Sequence, residues 1–99
     1  MINATDLIRY QLNRLADLYA LNQKDEFCAD AAAELRNWSD SIECTEVELD
    51  WNFYRTLRQN VWYLNHQAAR EGLSHASVID NESNLLIGII NTTVAALNL

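Results

Sequence analysis

Proline is absent from this 99-residue chain, and glycine occurs twice. A sandwich or barrel assembled from tight turns uses both residues repeatedly, so the composition disfavours an all-β architecture. Cysteine also occurs twice, as Cys28 and Cys44, too few for the disulfide framework of a small secreted domain. No apolar run approaches the roughly 18 residues of a membrane span. The first residues lack the charged-then-apolar order of a secretory leader, so a reduced, cytoplasmic setting and no membrane partner are expected. Basic residues are scarce: seven Lys and Arg stand against fourteen Asp and Glu, for a net charge of −7. A surface of that sign repels phosphates, which excludes direct nucleic-acid binding as a first expectation.

What the chain does contain is core material. Hydrophobic residues make up 49% of it and nine residues are aromatic. That is too hydrophobic for intrinsic disorder. One helical domain spanning residues 1–99 is the expectation, burying somewhat over about 60% of the surface of the unfolded chain.

Apolar residues recur at three and four, the helical period, in four segments. In the first, from about residue 4 to 22, Leu7, Ile8, Leu12, Leu15, Leu18 and Tyr19 share an arc of about 140°. Asn3 or Thr5 can cap it, and Asp6 suits the first turn. The second, from about 25 to 43, places Phe27, Cys28, Ala31, Ala32, Leu35, Trp38 and Ile42 on one face. Its 28-31-35-38-42 spacing is that of a packing seam. The third opens on the capping-box pattern Thr45-Glu46-Val47-Glu48 and stops at Gly72. The fourth follows Ser74 or Ser77 and reaches about Leu97, either unbroken or with a break at Asp80–Ser83 and Ser83 capping a final helix. Connections this short join antiparallel neighbours. The fold expected is therefore all-α, an antiparallel four-helix bundle, with the fourth helix available for a homodimer interface.

Two segments carry more apolar surface than a bundle helix requires. The third has a core stripe of Phe53, Tyr54, Leu57, Val61, Leu64 and Ala68, and a second stripe of Trp51, Trp62 and Ala69 flanked by Arg55 and Arg58. Trp51–Arg55 and Arg58–Trp62 are i,i+4 pairs, so each guanidinium can lie over an indole for about 0.5–1 kcal/mol. Such a stripe either packs inside the bundle or forms a contact surface, since Trp and Arg are enriched where proteins bind one another. The fourth segment has no charged side chain from Ser83 to Leu99. Its Leu85, Leu86, Ile87, Ile89, Ile90, Val94 and Leu97 cover about 200° of the helical wheel. This points to a homodimer interface through Leu86, Ile90, Asn91, Val94 and Leu97, with Gly88 and Ala95 allowing close approach and Asn91 pairing with its symmetry mate.

Charge is segregated along the chain. Residues 25–50 sum to −8, residues 51–79 to +2, and the two ends to +1 and −2. Glu26, Asp30 and Glu34 follow one another at i,i+4 on an outer face, where like charges destabilise a helix by about a few tenths of a kcal/mol per pair. Such a stripe fits solubility, local pairing with Arg55 or Arg58, or a basic partner.

No chemistry is legible. His66 and His75, the two histidines, form no E-x-x-H or H-x-x-x-H pair, and Cys28 and Cys44 show no zinc spacing, so no metal is expected. There is no glycine-rich phosphate loop. Cys44 stands just before a predicted helix N-terminus, which favours a thiolate, but no base or oxyanion site can be assigned to it. The sequence points to a non-enzymatic, cofactor-free module that docks another protein, as a homodimer, through Trp51, Arg55, Arg58 and Trp62 or through Glu26, Asp30 and Glu34. The alternative is an acidic decoy inhibitor of a nucleic-acid-processing enzyme. That reading is an analogy of size, charge and helicity with bacterial immunity proteins and phage anti-defence (anti-CRISPR) proteins.

Overall fold

The computed structural model describes residues 4–21, 25–44, 51–73 and 75–97, with the side chains of Ala4, Glu43, Cys44, Trp51 and Leu97 excepted. Over these residues the chain is all-α, as expected, with four helices: α1 (Ala4–Ala20), α2 (Glu26–Cys44), α3 (Trp51–Glu71) and α4 (Ala76–Leu97). The Thr45–Glu48 capping box lies outside the described residues. Contacts divide the chain into two compact units, Met1–Val47 and Glu48–Leu99, each built on a helical hairpin.

In the first unit α1 and α2 run antiparallel, because the ties between them follow opposite chain order. Asn13 Nδ2 donates to Ser39 Oγ at 3.1 Å, and the Arg36 guanidinium donates to Asp17 Oδ1 at 2.9 Å. α1 buries Ile8, Leu12, Leu15, Ala16 and Tyr19, together with Gln11. Leu7, expected on this face, is 41% exposed, because the buried arc is turned toward Ala16. α2 presents Cys28, Ala31, Ala32, Leu35 and Ile42 as expected, and Ser39 is buried where the seam pattern pointed to Trp38. The Tyr19 ring meets Phe27 edge-on with centroids 6.1 Å apart. Asp25 caps α2: its Oδ1 accepts from the Cys28 amide at 3.2 Å, satisfying one of the donors a helix start leaves open.

In the second unit α3 and α4 are also antiparallel, tied by Arg58 to Asn91 and by Asn65 to Asp80. α3 buries Tyr54, Leu57, Val61, Leu64 and Ala68, the expected stripe, with Phe53 half-buried beside it. Gly72 follows α3 with φ of 64°, the left-handed conformation that glycine adopts without steric cost and that ends helices. Leu73 is buried, and its carbonyl accepts from the Ala76 amide at 3.1 Å as α4 begins.

Of the two alternatives for the fourth segment, the break at Asp80–Ser83 does not occur. α4 is continuous through it, and Ser83 is fully buried in mid-helix rather than capping a new one. Magnitudes explain this. Asp, Asn and Ser each disfavour a helix interior by roughly 0.5 kcal/mol. Continuing the helix puts Ile79, Ser83, Leu86, Ile90 and Val94 in one buried stripe. Each large aliphatic side chain so placed contributes about 1.5–3 kcal/mol. The stripe is also narrower than the aliphatic content suggested: Leu85 is 52% exposed, and Ile87 and Ile89 are half-buried.

Candidate functional site: the outer face of α3

With one side of α3 committed to the core, the residues opposite it face outward. Arg55, Gln59, Trp62, Tyr63, His66 and Arg70 are all exposed. Trp62 is 56% exposed and Tyr63 60%. An indole and a phenol left in water on consecutive residues are not core side chains, which removes the reading of Trp62 as a second packing stripe. From Trp51 to Arg70 the sequence contains three arginines and a histidine but no Asp or Glu. With Glu71 at its last position this helix is still net positive, an aromatic element in a chain of net charge −7.

The predicted pairing of Trp62 is corrected. Arg58 donates from Nη1 to Asn91 Oδ1 at 2.6 Å, which draws it toward α4 rather than over the indole. Trp62 instead stacks on His66, one turn further along, with ring centroids 5.3 Å apart and an interplanar angle of 10°. Both neighbours stand four residues from Trp62, so spacing alone could not choose between them; the amide on α4 does. A flat stack holds the indole in one orientation and reduces the rotamer freedom it would lose on contact with another surface. The Trp51 side chain lies outside the described residues, so its expected pair with Arg55 is left there too. Tyr63 and His66 were not among the expected contact residues. Their signal in the sequence was the i,i+4 aromatic step and their position opposite Val61 and Leu64.

The expected dimer surface of α4 is also corrected. Leu86, Ile90 and Val94 are buried within the single chain, so they are not free to meet a second copy. Asn91 accepts from Arg58 rather than awaiting a symmetry mate. The Leu97 side chain lies outside the described residues. Eleven of the 99 residues are asparagine, and three of them serve as ties between helices. Asn13, Asn65 and Asn91 each make a hydrogen bond from one helix of a hairpin to the other. A second oxygen of Asp80 accepts from Asn84 at 3.4 Å.

On α2, Glu26, Asp30 and Glu34 are exposed, and no ion pair or hydrogen bond involves their carboxylates among the described residues. Arg36, the one base of α2, pairs with Asp17, and both side chains are substantially exposed, so the pair contributes at most about 1 kcal/mol.

No family model, curated protein or solved structure matches this chain. Among the described residues no group of three or more His, Cys, Asp or Glu is placed to hold a metal ion, and no helix is long and apolar enough to cross a membrane. Cys28 is a buried free thiol on the packed face of α2. What the α3 face can do is make contact: π-faces, guanidinium donors and a phenol hydroxyl stand together in solvent on a rigid helix.

Proposed function

We propose that this protein is a non-catalytic docking module whose contact surface is the outer face of α3, centred on Trp62. The observation that carries the reading is the exposure of the indole while it is held flat against His66. Tryptophan, tyrosine and arginine are the residues that most often dominate binding energy at protein interfaces, and here all three occur on one helical face. The test compares capture of partners from the source cell by the native chain and by Trp62→Ala, alongside thermal melting of both. Loss of a captured protein with an unchanged melting curve is the expected result. Equal capture by the two forms, or collapse of the fold in the variant, overturns it.

A second reading, the acidic decoy that occupies a basic nucleic-acid channel, is favoured by the exposed carboxylates of Glu26, Asp30 and Glu34 with no partner among the described residues. Like charges carried at i,i+4 without local compensation lower helix stability slightly and raise attraction to a positive partner. Reversing all three to Lys abolishes inhibition of such an enzyme on this reading, and added salt weakens it. Inhibition that survives both changes rejects it.

A further inference from the structure

Resting on the α3 face as a docking surface, we infer that its occupant is a second copy of this chain, which presents the outer face of α2 to it. Charge complementarity carries the assignment. The α3 face is net positive and aromatic, with no carboxylate before Glu71, the last residue of the helix. The α2 face is its opposite, with Glu26, Asp30 and Glu34 exposed and free of partners among the described residues.

The two faces also match in spacing. Trp62, His66 and Arg70 succeed one another at four residues, as do Glu26, Asp30 and Glu34. Each ladder therefore rises about 12 Å along its helix. Laid together in either direction, His66 meets Asp30 and Arg70 meets an end carboxylate, Glu26 or Glu34. The Trp62 indole then comes to the other end of the acidic ladder. There the adjoining exposed residues of α2 are Ala29 and Ala33, small enough to leave it room. Two copies of a −7 chain repel on approach, but at physiological ionic strength that repulsion is screened beyond about 8 Å. Contacts made within that distance decide the geometry, and pairing the positive helix with the acidic one is the arrangement that removes repulsion instead of adding it. Such a contact is heterologous, joining different patches on the two copies.

Sedimentation equilibrium across a concentration series of the full chain tests this. The native protein is expected to exceed the 11.4 kDa of one chain as concentration rises. Glu26→Lys/Asp30→Lys/Glu34→Lys and, separately, His66→Glu/Arg70→Glu are each expected to weaken association by about tenfold or more, because like charges then oppose one another. An equimolar mixture of the two variants is expected to regain it, since the lysines of one face the new glutamates of the other; a merely structural role for these exposed residues predicts no such rescue. A native chain that stays at 11.4 kDa at every concentration overturns the inference. So does association that persists in both variants, or a mixture that recovers nothing. A monomer leaves the docking role itself to the Trp62→Ala capture experiment, so the two ideas fail by different results.

Discussion

Tyr19 and Ser83 each bury a hydroxyl that makes no hydrogen bond among the described residues. A buried, unpartnered polar group costs about 1–3 kcal/mol. For Tyr19 the consequence extends to pH. Burial, and secondarily the neighbouring Cys28 thiol, push the phenol well above its usual range, because the charged phenolate is disfavoured away from water. The folded pKa lies above the unfolded value of about 10. The stability linked to this proton is therefore fully present below about pH 10 and is lost as pH rises through the alkaline range toward the folded value. Thermal melts from neutral pH upward should show that loss in the native chain, and Tyr19→Phe should flatten it while melting no lower at neutral pH. Tyrosine absorbance should show a component displaced to high pH in the native chain and absent from Tyr19→Phe. Ser83→Ala removes a buried hydroxyl and adds helix propensity, so it should raise stability by about 0.5–1.5 kcal/mol in denaturant titration. A lower midpoint would mean that this hydroxyl has a partner. The burial of Tyr19 was legible in the apolar arc of the first helix, whereas that of Ser83 was not. Serine reads equally as a cap or a solvent residue, and only the phase of the packed helix put Ser83 inside.

At the scale of the helix, legibility followed the contrast between faces. On α3 polar and apolar residues alternate sharply around the wheel, and five of the six expected core positions are buried. On α4 the contrast is poor. Seven aliphatic residues spread over about half the wheel leave the packed direction open, and it is Ile79, upstream of that run, that joins Leu86, Ile90 and Val94 in fixing it. The same weakness misdirected the candidate dimer surface, which drew on Leu86, Ile90 and Val94, residues already buried within the chain. The outward-facing side of α4 includes Gly88, where an added Cβ meets no atom within 4 Å. Glycine in an exposed helix interior costs about 0.8–1 kcal/mol relative to alanine. Gly88→Ala should therefore raise the melting midpoint. It should also leave the sedimented mass unchanged, because the contact inferred above uses α2 and α3. A fall in mass would mean that α4 meets a second copy closely at Gly88 and would shift the interface there.

For the whole chain the governing quantity is charge, and its distribution was fully legible because it needs no geometry. What could not be read was which charges are already paired. Between Glu26 and Cys44 five carboxylates stand against Arg36, and Arg36 is engaged with Asp17 of α1. The steps Glu26–Asp30 and Asp30–Glu34 are uncompensated like-charge neighbours among the described residues, each opposing the helix by about a few tenths of a kcal/mol. The net −7 adds a diffuse self-repulsion of the folded chain. Salt acts on these contributions in opposite directions: it relieves the repulsion and weakens the exposed Asp17–Arg36 pair, itself at most about 1 kcal/mol. The hydrogen bonds from Asn13, Asn65 and Asn91, being short-range, are nearly indifferent to it. Raising sodium chloride from about 10 mM to about 1 M shortens the screening length from about 30 Å to about 3 Å. Because the chain carries a net charge of −7 and two like-charge steps on α2, melting followed by helix circular dichroism at low protein concentration should move upward over that range. The gain should shrink in Asp30→Asn, which removes the carboxylate common to both steps without touching the packed face. A downward shift would show that ion pairing, and not the acidic face, dominates the electrostatics of folding.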